Sequence, residues 1–256
     1  MRSDISDILM RMQDISLEQM GQVSLMNRID AKYLMCEGQL PEMLGNLQDD
    51  YMVQVLNGSS WQSYHTAYLD DSGHTMYLAH HNGRLVRQKV RVRTYLDSDN
   101  LTFFEVKLKN NHGKTKKKRM KVNGMASLLE DGADEFLSKT ALLEIPLTDM
   151  IPVLENRFER ITLVNKAKTE RLTIDTALSF HNLETGASRA MENLVIVELK
   201  RDGMADSKAL DVLRELRVHP SGFSKYCIGS AMTNPELKHG RFNVRIRKVN
   251  KIMDTI

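Results

Sequence analysis

Charged and aliphatic residues alternate along the segment from Arg84 to Lys121, and this alternation limits the kind of sheet that the chain can form. From Arg87 to Arg93, cations take one parity and valines the other, and the pattern recurs from Phe104 to Lys109. A β-strand directs successive side chains to opposite faces, so one face is cationic and the other apolar. The 38 residues hold 13 of the chain's 36 lysines and arginines, against three acids. Such crowding is costly without an anion, so the segment predicts a surface that binds a polyanion.

Composition narrows the class of protein. The 256 residues carry a net charge of only +3, so the basic segment is local and the chain is not a general nucleic-acid coat. Few aromatic residues accompany the basic strands, which argues against a specific nucleic-acid partner. Cys36 and Cys227 form no C-x-x-C pair, which argues against a disulfide scaffold or zinc site. We expect a cytoplasmic protein, and the basic tail leaves open peripheral contact with the inner face of a membrane.

The periodicities predict one α+β domain over residues 1–256, with a core at about 20–233 and a basic C-terminal helix at 240–254. Strands are predicted at 24–35, 51–56, 62–70, 84–93, 104–109, 114–121, 160–170, 171–182 and 193–203. Helices are predicted at 3–20, 38–47, 126–142, 151–159, 206–217, near Lys225 and at 241–253. The segment 75–82 fits a strand or a short helix.

The predicted helices decide which face of the sheet points inward. Taken one strand at a time, a charged face exposed to water is an even alternative. The helices at 3–20, 126–142 and 206–217 carry apolar stripes that need burial, and the aliphatic face of the sheet can supply it. We therefore expect an antiparallel eight-stranded β-barrel tunnel, with helices outside and charged faces inside. The cations expected to line it and bind phosphate are Arg91, Arg93, Lys107, Lys118, Arg171 and Lys200. Acids on the same faces are candidate ligands for Mn²⁺ or Mg²⁺: Asp30, Glu105, Asp175 and Glu198.

A set of short motifs, in order along residues 20–230, resembles a known family. The motifs are Arg28-x-Asp30-x-Lys32-Tyr33, Val90-Arg91-Val92-Arg93, Glu105-Val106-Lys107, a Lys118-bearing strand, Arg171-Leu172-Thr173-Ile174-Asp175, Val197-Glu198-Leu199-Lys200 and Ser224-Lys225-Tyr226. The ordered set resembles the polyphosphate polymerase domain of the vacuolar transporter chaperone (VTC) family, among the triphosphate tunnel metalloenzymes. The resemblance implies a tunnel open at both ends in which the terminal phosphate of ATP joins a growing polyphosphate chain, with Mn²⁺ or Mg²⁺. It also implies a membrane-protein partner that exports the product.

The resemblance also implies roles for individual residues. Lys32, Arg91, Arg93 and Lys225 match catalytic positions: a tunnel lysine, the arginine pair on the triphosphate, and a lysine that activates or guides the chain end. Lys107 and Lys118 match phosphate ligands, with Lys117 and Arg119 facing outward. Glu198 matches the metal ligand, and Glu105 is either a second metal ligand or an ion-pair partner. The family's Tyr-x-Arg strand falls near VNKAK, where Lys166 or Lys168 would replace the arginine.

One departure bears on the reaction. The Glu-x-Glu-x-Lys signature of the thiamine-triphosphatase and adenylate-cyclase branch is absent, because the first strand has Arg28-Ile29-Asp30-Ala31-Lys32. We therefore expect a metal-dependent polyphosphate polymerase that uses ATP. The alternatives are hydrolysis of a small triphosphate and a polyphosphate-binding module without turnover.

Overall fold

The computed structural model of the protein describes residues 2–21, 28–111, 115–203 and 206–255. Its helices are α1 (Arg2–Arg11), α2 (Leu17–Gly21), α3 (Leu40–Leu47), α4 (Thr75–His81), α5 (Ala133–Thr140), α6 (Lys208–Glu215), α7 (Lys225–Thr233) and α8 (Asn243–Met253). Its strands are β1 (Gln13–Ile15), β2 (Arg28–Cys36), β3 (Tyr51–Gln54), β4 (Gln62–Asp71), β5 (Arg87–Tyr95), β6 (Leu101–Lys109), β7 (Thr115–Val122), β8 (Met150–Asn165), β9 (Glu170–Asn182), β10 (Ser188–Ala190) and β11 (Leu194–Asp202).

Eight of the strands form a continuous path in the order β2-β11-β9-β8-β4-β5-β6-β7, and every ladder along it is antiparallel. The remaining three strands attach at the side: β3 to β8, β1 to β3, and β10 to β9. In the described part of the chain, no ladder joins β2 to β7. The predicted α+β antiparallel fold is confirmed, whereas the closed eight-stranded barrel is wrong: the sheet is open and has eleven strands. The single domain over residues 1–256 stays a prediction.

The strand register sorts the side chains onto two faces. Arg91 lies opposite Glu105, and Lys107 lies opposite Lys89. On the other half of the sheet, Glu198 lies opposite Lys32. Directly paired residues project to the same side of a sheet, so ladder by ladder the charged residues share one face. We call it the charged face; its members used below are Lys32, Arg91, Arg93, Glu105, Lys107, Arg160, Arg171, Asp175, Glu198 and Lys200.

The opposite, apolar face is covered by helices in two places. The first cluster packs α1, α3 and α6 on five strands and includes Leu9, Leu44, Leu213, Ile174 and Val197. The second packs α5 on β5, β6 and β7 and includes Leu137, Val92, Phe104 and Val106. Each helix buries the stripe that its sequence predicts, so the placement of these helices outside the sheet is confirmed.

Helix α7 packs on the charged face instead. Its Tyr226 and Ile228 share a buried cluster with Leu34 and Ile196, which have the same parity as Lys32 and Glu198. Helix α8 adds Val249 to that cluster. One end of the charged face is therefore apolar and covered by a helix, which departs from the tunnel open at both ends that the resemblance implies.

Three predicted helices are wrong in extent or type. The segment 151–159 is not a helix but the first half of β8, which pairs with β4 on one side and β9 on the other. Its pairing with β4 is continuous from Leu154 to Arg160 and shifts between Leu154 and Pro152, so β8 is irregular near its start. The segment 3–20 divides into α1, β1 and α2, and the helix predicted at 126–142 is confined to α5. None of the helices within the described ranges is both long and apolar enough to cross a membrane.

The tight contact between α7 and the sheet gives a stability prediction. A Cβ on Gly229 would lie 2.5 Å from Cδ1 of Phe180 and 2.8 Å from Cδ2 of Leu154. Gly229→Ala should therefore lower the free energy of unfolding by about 1–3 kcal/mol, measured by urea denaturation. Gly45 of α3 has open space around it, so Gly45→Ala is the matched control and should raise stability by about 0.5–1 kcal/mol. Equal stability of the Gly229→Ala and wild-type chains would contradict this packing.

Candidate active site

A buried carboxylate on β6 forms ion pairs with one cation on β5 and one on β7. Glu105 is fully buried, and its Oε2 accepts hydrogen bonds from Arg91 Nε at 2.7 Å and Nη2 at 2.5 Å. Its Oε1 accepts one from Lys117 Nζ at 2.9 Å. Burial would raise the pKa of Glu105, but the charges of Arg91, Arg93 and Lys117 lower it well below its usual range. Of the two roles predicted for Glu105, the structure shows that of an ion-pair partner.

Arg93 and Lys107 lie next to this group, yet within the described residues neither has a carboxylate at ion-pair distance. Arg93 Nε donates to Thr66 Oγ1 at 3.1 Å. Burial, followed by the charges of Arg91 and Arg160, lowers the pKa of Arg93 to about 10. The charge of Arg91, followed by burial, lowers the pKa of Lys107 well below its usual value. Arg93, which is buried, and Lys107, which is half-buried, thus repel the cations around them, and a bound polyanion would relieve that repulsion.

The first residue of α7 reaches the same region. Ser224 caps the helix through a hydrogen bond from Cys227 N to its Oγ, which places Lys225 at the helix start. Lys225 Nζ lies 2.6 Å from Asp175 Oδ2 and 2.8 Å from the centroid of the Phe158 ring. Burial lowers the pKa of Lys225 well below its usual value, although Asp175 opposes the shift.

Asp175 also binds Arg160, through bonds of 2.6 and 2.9 Å to its two oxygens. Burial would raise the pKa of Asp175, but the charges of Arg160 and Lys225 lower it well below its usual range. Asp175 therefore holds two cations in place, and both of its oxygens are engaged. This leaves Asp175 an unsuitable metal ligand, in contrast to its sequence-based candidacy.

Glu198 has weaker contacts than the other two carboxylates. Its Oε1 lies 3.4 Å from Lys32 Nζ, and its Oε2 lies 3.7 Å from Lys200 Nζ. Burial would raise the pKa of Glu198, but Lys32, Lys200 and Arg160 lower it well below its usual range. Arg171 lies opposite Lys200 and therefore on the charged face. The register brings together Lys32, Glu198, Lys200 and Arg171, as the sequence predicted.

The acids of the charged face do not form a metal cage by themselves. Among the described residues, no three His, Cys, Asp or Glu side chains lie close enough together to hold a metal ion. Glu198 is ionised, and its ion pairs with Lys32 and Lys200 are long, at 3.4 and 3.7 Å, so it can supply one carboxylate ligand. Mg²⁺ commonly binds one or two carboxylates together with phosphate oxygens of the substrate. The donor set therefore fits an ion that arrives with a triphosphate.

The placement predicted for the lysine-rich strand is wrong by one residue. Lys118 pairs with Val106, so it projects to the apolar side, and its side chain is exposed. Lys117 and Arg119 pair with Lys107 and Glu105, so these two residues share the charged face. The pairing of Lys109 with Thr115 sets which residues of β7 share the charged face, and the alternation within β7 does not reveal that register.

Lys166 and Lys168 do not line the charged face either. Both are exposed in the turn between β8 and β9, where Lys168 has a φ of 58°. The charged face carries Arg160 on this strand instead, in the run Phe158-Glu159-Arg160. The aromatic-x-Arg spacing of this run resembles the Tyr-x-Arg motif, but the helix predicted at 151–159 covers its first two residues.

A second residue of β8 was missed as well. Asn156 is buried and lies opposite Thr66 on the charged face. Neither its side-chain oxygen nor its nitrogen has a hydrogen-bond partner among the residues that the structure describes. An amide left in this state is costly, so it offers a donor and an acceptor to a ligand beside Arg93.

The uncompensated charge of Lys107 gives a prediction that combines stability and pH. Lys107→Met should raise the free energy of unfolding by about 0.5–2 kcal/mol without ligand, because it removes a positive charge that Arg91 and Arg93 repel. The folded pKa of Lys107 lies below the unfolded value of about 10.4, so its unfavourable contribution shrinks as pH rises between the two. The stabilisation by the variant should therefore be larger at pH 7 than at pH 10, by urea denaturation.

Lys118→Met is the matched control, because the side chain is exposed and on the other side of the sheet. Its effect should stay within about 0.5 kcal/mol at both pH values. A Lys107→Met chain less stable than wild type would contradict the view that this charge is uncompensated.

Comparisons with known proteins identify the family of the chain and solved structures with a similar fold. The family model described as the VTC domain matches residues 27–234. None of the curated proteins matches the chain. Among solved structures, a putative adenylyl cyclase from Hippeastrum, HpAC1, reported to have a dominant triphosphatase activity, superposes with a TM-score of 0.50. It is 12% identical, over 80% of this chain and 96% of that chain.

Two other solved structures show weaker similarity. The PH1819 protein from Pyrococcus horikoshii OT3 has a TM-score of 0.37 at 10% identity, over 74% of this chain and 86% of that chain. The inorganic triphosphatase NE1496 has a TM-score of 0.27 at 10% identity, over 71% of this chain and 80% of that chain. The likeness to HpAC1 concerns the fold alone. The family model spans most of the sequence and confirms the resemblance seen in the motifs, so the chain belongs to the VTC domain family.

Proposed function

We propose that the protein is a metal-dependent phosphotransferase that moves the terminal phosphate of ATP onto a growing polyphosphate chain. The observation that carries this proposal is that buried Arg93 and half-buried Lys107, neighbours on the charged face, have no carboxylate at ion-pair distance among the described residues. A phosphate chain supplies the missing negative charge. Membership of the VTC domain family supports the same chemistry.

In this proposal the pairing of each cation decides its role. Arg91 and Arg160 are fixed by Glu105 and Asp175, so their guanidinium groups are oriented before the substrate arrives. Arg93 can then bind phosphate oxygens in a forked geometry, and Lys107 adds a point charge. Phosphoryl transfer depends mainly on positioning and charge neutralisation, so this set needs no covalent nucleophile.

Lys225 and Lys32 approach the phosphates from other elements. Lys225 enters from the start of α7 and is oriented by Asp175, and we assign it the guiding of the chain end. Lys32 lies across the sheet, beside Glu198. Arg171 and Lys200 would contact more distant phosphates of the same chain.

Glu198 would hold Mn²⁺ or Mg²⁺ together with phosphate oxygens of the substrate. A bound divalent ion offsets the charge that develops on the bridging and leaving oxygens. Lys32 and Lys200 neutralise Glu198 before the ion arrives, and its entry requires these weak contacts of 3.4 and 3.7 Å to open.

Hydrolysis of a small triphosphate is the second candidate. It is favoured by α7, which covers one end of the charged face with Tyr226 and Ile228 and so limits the paths open to a polymer. The triphosphatase activity reported for HpAC1, which shares the fold, is consistent with that candidate.

One assay separates these candidates. The protein is incubated with ATP and Mn²⁺, and both long-chain polyphosphate and free phosphate are measured. We expect polymer. Free phosphate without polymer would favour the hydrolase, and tight polyphosphate binding without turnover would show a binding module.

Arg93 gives the sharpest test of where the triphosphate binds. Arg93→Ala should lower turnover by at least about a hundredfold, because it removes a preorganised phosphate ligand. The fold should survive, since the residue has no ion-pair partner to leave unpaired. Arg157→Ala, which removes an exposed arginine from β8, is the control and should leave turnover unchanged. If Arg93→Ala retains activity, the triphosphate binds elsewhere.

A further inference from the structure

Further cations continue along the charged face beyond the candidate active site. The register pairs Lys89 with Lys107, and two residues further along it pairs Arg87 with Lys109. Both pairs place like charges directly opposite each other, which destabilises a sheet. The candidate roles assigned above use only Lys107 of these four residues.

Helix α8 brings another cation to the same place. The Nε of Arg245 lies 3.6 Å from the point where Gly222 would carry a Cβ, just ahead of α7. Burial, followed by cations from three elements, lowers the pKa of His80 in α4 to about 2, so its imidazole is neutral and contributes no charge. Those cations are Lys89, Arg87, Arg245 and Lys109. We call Arg87, Lys109 and Arg245 the outer cluster.

The outer cluster differs from the inner cations in its partners. Arg87 Nη1 donates to the carbonyl oxygen of Arg84 at 2.7 Å, which is a neutral acceptor. In the described ranges, no carboxylate lies within ion-pair distance of Arg87, Lys109 or Arg245. Arg91, by comparison, is paired with Glu105. The outer cluster is thus a region of positive charge that the protein does not neutralise.

Lys89 connects the outer cluster with the candidate active site. Its Nζ donates to Ser224 Oγ at 2.7 Å, and Ser224 is followed by Lys225, which reaches Asp175. From Arg93 to Arg87 the strand spans six residues, which is about 20 Å at a rise of about 3.4 Å per residue. The cations form one row along this length, and three phosphoryl groups bound at Arg93 would contact only part of it.

We propose that the outer cluster is a second phosphate site, which binds distal phosphates of a long polyphosphate chain and is not reached by a triphosphate. The inference rests on the proposed function and extends it to the path of the polymer beside the start of α7. Arginine forks and a lysine point charge suit the closely spaced oxygens of a phosphate chain. The shared chemistry is that of clustered phosphate groups, which a membrane surface with anionic lipids also presents.

The test compares a long and a short ligand. Binding of long-chain polyphosphate and of tripolyphosphate is measured by calorimetry for wild type, Lys109→Gln and Arg245→Ala. Each variant should bind the long chain about three- to tenfold more weakly and tripolyphosphate with unchanged affinity. Arg247→Ala, which removes an exposed arginine from the same helix, is the control and should bind both ligands as wild type does. Urea denaturation verifies that all variants fold.

The possible results separate this inference from the proposed function. Unchanged long-chain binding in both variants, or an equal loss for both ligands or in the control, would overturn the outer site while leaving the proposed function intact. Failure of the wild-type protein to bind either phosphate ligand would overturn both. Arg245-dependent binding to phosphatidylserine vesicles without a loss of polyphosphate affinity would assign the outer cluster to a membrane surface instead.

Discussion

Repulsion among buried cations on one side of the sheet is the constraint on which the rest of the structure depends. Arg91, Arg93 and Lys107 come from adjacent strands, and two of the three have lowered pKa values because of one another and of burial. A protein tolerates such a group only if other interactions supply the stability that it removes. The apolar face supplies it, with two large clusters beneath the helices.

The carboxylates of the charged face neutralise some cations and leave others. Glu105 and Asp175 each bind two cations, and these pairs fix the orientation of guanidinium groups without a ligand. Among the described residues, Arg93 donates a hydrogen bond to a threonine hydroxyl and lies over aromatic rings, but it has no ion-pair partner. The fold thus contains two kinds of cation: those that carboxylates hold in place, and those that remain without an ion pair.

The sequence predicts much of this arrangement because alternation of charge survives in β2, β5, β6, β9 and β11. The ladders β2–β11, β9–β11 and β5–β6 have regular registers, so parity alone places Lys32, Arg91, Lys107 and Glu198 on one face. Prediction failed where the pattern of a strand does not set its own register or type. The pairing of Lys109 with Thr115 decides between Lys117 and Lys118, and the helix predicted at 151–159 covers the start of the strand segment that contains Arg160. Local sequence patterns also cannot predict whether the sheet closes into a barrel, because closure depends on whether the end strands β2 and β7 pair with each other.

The lysines that miss the charged face still affect how the molecule behaves among its own copies. Strand β7 is the last strand of the sheet path, and its residues from Lys116 to Arg119 are all exposed. A terminal strand offers unpaired backbone groups to any passing strand, which invites association between copies and eventual aggregation. A dense row of positive charge makes two such edges repel, so Lys116 and Lys118 oppose pairing between the edges of two copies. The cations of β7 lie on both sides of the strand: Lys117 and Arg119 share the charged face, and Lys116 and Lys118 on the opposite side keep other sheets away.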